Sequence, residues 1–217
     1  MSISRDDLLK AATVLALAGL ALTILVDWQG VPLPGDLWTI RHIQDAGHLR
    51  NNAYLINAAH DWLWAPVAGS IALILLRGRL WRTALVPSRR EGLSAFAAAV
   101  VLWRGDALLK AIVESPRPYV AAGVSIDGHF GGYGYPSGHV YNDVLFYGLI
   151  AVLVPGYLPG RMVLPVRALA LAIIVCSGLA RIAVGAHWPS DTVGGYLWGG
   201  VALCLAVWFG RWVAQRR

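Results

Sequence analysis

Between Gly178 and Asp191 the chain reads Gly-Leu-Ala-Arg-Ile-Ala-Val-Gly-Ala-His-Trp-Pro-Ser-Asp. One guanidinium (Arg181), one imidazole (His187) and one carboxylate (Asp191) therefore stand at fixed spacing in an otherwise apolar region. A histidine and an aspartate four residues apart meet across one helical turn. The carboxylate then fixes the imidazole tautomer and raises its basicity, as in nucleophile–base–orienter arrangements. An arginine fork suits phosphate oxygens. Two upstream clusters extend the set: Lys110 with Arg117-Pro118, and Pro136-Ser137-Gly138-His139. A helix beginning at Ser137-Gly138 presents free N–H groups to an anion, and glycine permits close approach. Lys110, Arg117 and Arg181 together would stabilise charge on the equatorial oxygens of a transferring phosphoryl group. Two histidines at such a site need opposite roles: one neutral to attack phosphorus, the other protonated to help an alkoxide leave.

Read in order, Lys-x6-Arg-Pro, Pro-Ser-Gly-His and Arg-x5-His-x3-Asp resemble the three-part signature of the type-2 phosphatidic acid phosphatase superfamily. That superfamily includes membrane lipid phosphatases, the glucose-6-phosphatase type and soluble vanadium haloperoxidases. All three parts match without a gap from Lys110 to Asp191. The resemblance implies that His187 is the nucleophile and forms a phosphohistidine, oriented by Asp191. It implies that His139 is the general acid and afterwards the base for water. Lys110, Arg117, Ser137, Gly138 and Arg181 would bind the phosphate. No cofactor or metal is expected: the cations supply the electrostatic stabilisation, and Glu114, Asp127 and His129 do not form a ligand set.

The chain of 217 residues is 57% hydrophobic and 14% charged, against roughly 25% charged in a soluble domain. That composition marks an integral membrane protein, and the length suits a single domain over 1–217. Cys176 and Cys204 lie in apolar runs without disulfide or ligand spacing. The net charge of +6 does not indicate nucleic acid, because no basic stripe with interleaved aromatics appears. Basic loops on the cytoplasmic side account for it.

The elements that must position the motifs read as an all-α bundle of six transmembrane helices. The spans fall at about 8–26, 55–76, 92–114, 138–154, 164–184 and 190–212. A short interfacial helix between the first two spans has Leu37, Ile40 and Ile43 at helical spacing and Asp36 at its N-cap. Pro116 is expected to stop the third span and Gly185 to end the fifth. Gly195-x-x-x-Gly199 is read as close packing within the bundle rather than a dimerisation face. The protein is thus expected to be a monomer or a weak homo-oligomer. His60 and Asp61 near the outer end of the second span read as interfacial.

Arg5, Lys10, the loop arginines from Arg77 to Arg90, Arg161, Arg167, Arg211, Arg216 and Arg217 collect on one side, against Arg41, Arg50 and Arg117 on the other, and the positive-inside rule makes the richer side cytoplasmic. Both termini are then inside a bacterial plasma membrane, and the motifs face outward. A site there, with no large soluble domain, suits a lipid phosphate or polyprenyl diphosphate substrate. Rival readings are transfer to an acceptor other than water, peroxidase chemistry, and a transport path lined by buried charges; the charges cluster at the outer ends, which favours the enzyme. Outside the motifs, Arg104 and Asp143 read as a supporting pair beneath the phosphate, with Asp106 as the alternative partner of Arg104.

Overall fold

The computed structural model describes residues 4–47, 52–53, 89–156 and 158–216. The second span expected at 55–76, with His60 and Asp61, and the loop arginines Arg77, Arg79 and Arg82 lie outside the described residues.

Helix α1 spans Arg5–Gln29. It starts at a reciprocal cap: the Ser4 hydroxyl accepts from the Asp7 N–H, and the Asp7 carboxylate accepts from the Ser4 N–H, both at 3.1 Å. It stops at Gly30, whose φ of 71° suits glycine and whose N–H bonds the Val26 carbonyl. At 1.5 Å per residue, its 25 residues reach about 37 Å, more than a bilayer core. Next come α2 (Asp36–Asp45), α3 (Arg89–Leu102), α4 (Gly105–Val113) and α5 (Gly138–Leu153). The chain ends with α6 (Gly160–Ala183) and α7 (Pro189–Gln215). There is no strand among the described residues, so the all-α expectation holds. Four helical stretches there are long and apolar enough to cross a membrane: α1, α5 with its short 3-10 extension to Gly156, α6 and α7.

Helix α7 is the hub: α1, α3 and α5 pack around it, and α6 packs on α5. Their common core joins Leu8, Ala99, Leu145, Phe146, Leu149 and Val207, all buried. Backbones approach closely where α7 carries glycine. A Cβ on Gly195 would lie 2.7 Å from the Ser137 carbonyl, and one on Gly199 2.7 Å from that of Tyr141. The Gly-x-x-x-Gly pair is therefore spent within the bundle, against α5, as its small residues allow. Away from the core, α1 exposes Val14, Leu17 and Ile24, and α6 exposes Leu164, Leu169 and Leu171. Contiguous apolar faces of that kind suit lipid.

The expected third span, a continuous helix over 92–114, is corrected. It breaks at Trp103–Arg104 into α3 and α4. The Tyr141 hydroxyl from α5 donates to the Leu102 carbonyl at 2.8 Å, taking the acceptor that the Asp106 N–H would use in a continuous helix. Gly105 makes room, since a Cβ there would lie 2.5 Å from the same hydroxyl oxygen. Helix α4 then ends at Val113, with Glu114 as a left-handed cap at φ 48°, before Pro116 is reached.

The short helix between the first spans is present as α2, but its N-cap is Gly35 rather than Asp36. Asp36 turns inward and is buried, while Trp38 is exposed and packs on His42 with ring centroids 4.0 Å apart. Gln44 ties α2 to the loop after α4: its side chain donates to the Ser125 carbonyl at 2.7 Å and accepts from the Ser125 N–H at 3.0 Å. Gly185, at φ 72°, follows the end of α6 as expected.

Candidate active site

Helices α4, α5 and α7 deliver the motifs to one place. A cavity of about 360 Å³ is lined by Arg104, Asp106, Lys110, Arg117, Gly138, His139, Asn142 and His187, with Trp103 and Ala107. Of the expected site residues, Lys110, Arg117, Gly138, His139 and His187 share this lining; Ser137, Arg181 and Asp191 lie outside it.

His187 sits in the turn between α6 and α7 and is 2% exposed. Its Nδ1 lies 3.3 Å from Asp191 Oδ2, and its Nε2 lies 3.2 Å from Arg117 Nη1. Arginine has donors only, so Nε2 is the accepting nitrogen and Nδ1 carries the proton toward Asp191. Burial, then the charges of Arg117, Lys110 and Arg181, hold the imidazole well below the usual histidine range and keep it neutral. The ring thus keeps an unprotonated Nε2 on the cavity side. Asp191 is held in turn: its Oδ2 accepts the Trp188 N–H at 3.0 Å, in the first turn of α7 where the helix dipole favours an anion.

Arg117 and Lys110 are fixed by carbonyls. Arg117 donates to Ala186 at 2.6 Å and, through Nε, to Gly131 and Gly132 at 3.1 Å each. That ties the glycine-rich loop to the site. Lys110 donates to the Pro136 carbonyl and pairs with Asp106 at 3.4 Å. The Ser137 N–H, at the N-cap of α5, donates to the Asp191 carbonyl at 2.9 Å, which locks the α5 start to the α7 start. The Ser137 hydroxyl is buried without a hydrogen-bond partner among the described residues. Arg181 is buried in the last turn of α6, and its carbonyl accepts the Ala186 and His187 N–H groups at 3.0 and 3.3 Å. The cavity thus gathers an imidazole held by a carboxylate behind it, a second histidine and three cations, groups that phosphoryl transfer can use.

Arg104 is exposed at the N-cap of α4 and lines the cavity itself, because the helix breaks there. Asp143 is buried on α5. The sequence reading misses three contributions, although it names Asp106 as a partner of Arg104 and Asp36 as an N-cap. Asp106 pairs with Lys110 at i,i+4 spacing, a signal that was available. Asn142 lines the cavity one turn after His139. Asp36 accepts from the Ser190 N–H at 2.9 Å and the Ser190 hydroxyl at 2.7 Å, so α2 caps the helix that carries Asp191. Nothing local in the sequence signals that last contact.

A lipid A 1-phosphatase of Rhizobium etli is 33% identical over 85 residues, 39% of this chain; the match spans 33% of that relative's length. The crystal structure of a transmembrane PAP2-type phosphatidylglycerolphosphate phosphatase from Bacillus subtilis superposes with a TM-score of 0.75. That match has 20% identity and covers 95% of this chain and 99% of the other, so it shows a shared fold. The model of the PAP2 superfamily matches residues 90–215, which contain every part of the site built above from α4, α5 and α7. This chain, an integral membrane protein by its apolar helices, therefore belongs to the PAP2 superfamily.

Proposed function

We propose that the protein is a membrane lipid phosphatase working through a phosphohistidine on His187. The observation that carries this is the His187 ring: Nδ1 toward Asp191, Nε2 accepting from Arg117, on a cavity shared with His139 and Lys110. Nε2 attacks phosphorus as the bond from phosphorus to the lipid oxygen breaks, and protonated His139 gives its proton to that oxygen. Asp191 stabilises the charge gained by the His187 ring. His139, now neutral, takes a proton from water; the hydroxide displaces His187, the P–N bond breaks, and inorganic phosphate leaves. Lys110, Arg117, Arg181, the Ser137 hydroxyl and the Gly138 N–H hold the phosphoryl oxygens.

No metal is needed in this scheme. Among the described residues no group of three or more His, Cys, Asp or Glu side chains is placed to hold one, and the lining cations supply the charge. The names of the lipid A 1-phosphatase and the phosphatidylglycerolphosphate phosphatase support an amphiphilic phosphate as substrate. The positive-inside count supports a site on the outer membrane face with both termini cytoplasmic.

The test is phosphate release by purified protein across phosphatidate, a glycolipid 1-phosphate and polyprenyl mono- and diphosphates, without added acceptor and with a chelator. Released phosphate, inhibited by vanadate, is the expected result. Release that appears only with an added acceptor identifies a transferase. Loss with chelator and recovery with a metal overturns the metal-free scheme.

A further inference from the structure

Asn142 is a polar side chain 8% exposed on α5. It lines the same cavity as His139 and His187, and its Oδ1 has no hydrogen-bond partner among the described residues. A buried amide oxygen without a partner is costly, and hardly any survive in native structures unexplained. The neighbours on the same helix, Val140, Tyr141 and Leu145, are buried in apolar packing. Asn142 instead lines a polar cavity with its amide oxygen still to be completed, which a ligand group can do.

The rise of the helix places Asn142 about 4.5 Å further into the bundle than His139. If His139 protonates the leaving oxygen, the part of the substrate at Asn142 is the part just beyond that oxygen. Building on the phosphatase reading above, we infer that Asn142 is a specificity-determining residue. It selects phosphates whose leaving alcohol carries a hydroxyl or N–H close to the phosphate, as a free glycerol or sugar hydroxyl does. The unsatisfied amide oxygen accepts from such a donor, whereas an ester oxygen, an acceptor only, cannot complete it. A polyprenyl monophosphate offers only hydrocarbon there and leaves the amide unpaired, and sites built to hydrogen-bond a substrate group discriminate against analogues that lack it.

The experiment measures kcat/KM of the full-length protein in detergent for a glycerophosphate lipid with a free hydroxyl beside the phosphate, a glycolipid 1-phosphate and a polyprenyl monophosphate of similar tail volume. Wild type is expected to prefer the first two. Asn142→Leu is expected to lower kcat/KM for them relative to the polyprenyl monophosphate by about tenfold, the worth of one hydrogen bond with its partner left unpaired. Asn142→Ser, which keeps a polar group without adding bulk, should lie between, and covers the case in which the leucine variant fails to fold. A ratio unchanged within about twofold in both variants, or a wild type that prefers the polyprenyl monophosphate, overturns the inference while leaving the phosphatase reading intact. Wild type inactive on all three substrates overturns the phosphatase reading itself.

Discussion

Asp36→Ala removes a carboxylate that lies 155 positions before the aspartate it supports in sequence, yet caps the same helix. The side chain is 5% exposed and accepts from Leu33 N at 2.8 Å, Ser190 N at 2.9 Å and Ser190 Oγ at 2.7 Å. Ser190 is itself buried, so its N–H and hydroxyl lose their partner with little water to replace it. Each stranded donor costs about 1–3 kcal/mol. The anion at the N-terminus of α7 contributes about 0.3–1 kcal/mol more. Relief from burying a carboxylate offsets part of this, leaving a net loss of about 2–4 kcal/mol. For a chain of this size that corresponds to a fall of roughly 5–15 °C in the unfolding midpoint. Asp36→Asn keeps an acceptor for the Ser190 N–H and should lose about 1 kcal/mol. Because Asp191 sits in the turn that Asp36 caps, a shift of that turn misaims His187, and kcat should fall with stability in the alanine variant while the asparagine variant retains most of it. The assay pairs thermal unfolding in detergent with phosphate release well below the midpoint. An alanine variant that unfolds within about 1 °C of wild type would refute the capping argument.

His187→Ala and His187→Asn should each lower kcat by about 10⁴-fold or more, since neither side chain can take the phosphoryl group; single-turnover assays with a trapped phosphoenzyme check this. His139→Ala should cost about 10²–10⁴-fold on alkyl phosphates and much less on aryl phosphates with good leaving groups, and equal losses on both would remove the general-acid role. Since the folded-state pKa of His187 is lowered, the unfolded chain binds the extra proton first, so its contribution to stability is complete above about pH 6.5 and declines as pH falls further. The decline is about 1.4 kcal/mol per pH unit until the folded-state pKa is reached, and unfolding midpoints at pH 5 and 7 should show it in wild type and not in His187→Asn. In a background without Cys176 and Cys204, a cysteine at Gly131 should react with an impermeant thiol reagent on intact cells and one at Arg161 should not; the reverse pattern would invert the topology.

Local chemistry made much of this protein readable from its sequence. Apolar runs long enough to cross a bilayer announce α1, α5, α6 and α7, because the hydrophobic requirement acts residue by residue along a helix. The His187–Asp191 contact was equally legible, since i,i+4 neighbours meet wherever a turn or helix forms. Gly195 and Gly199 announced close packing by their size alone, although only the bundle shows that α5 is the partner. Contacts between distant segments were another matter. The break at Trp103–Arg104 depends on a tyrosine hydroxyl brought in by α5, and the stretch over 92–114 carries no proline to mark it. The inward turn of Asp36 depends on α2 lying against the start of α7, where the nearest unsatisfied donors belong to another helix rather than its own. The unprotonated Nε2 of His187 depends on Arg117 approaching from the loop after α4. Sequence determined which groups were present and which helices would form; tertiary packing decided which buried donor meets which acceptor, because a polar group removed from water must take whatever partner the fold brings within reach.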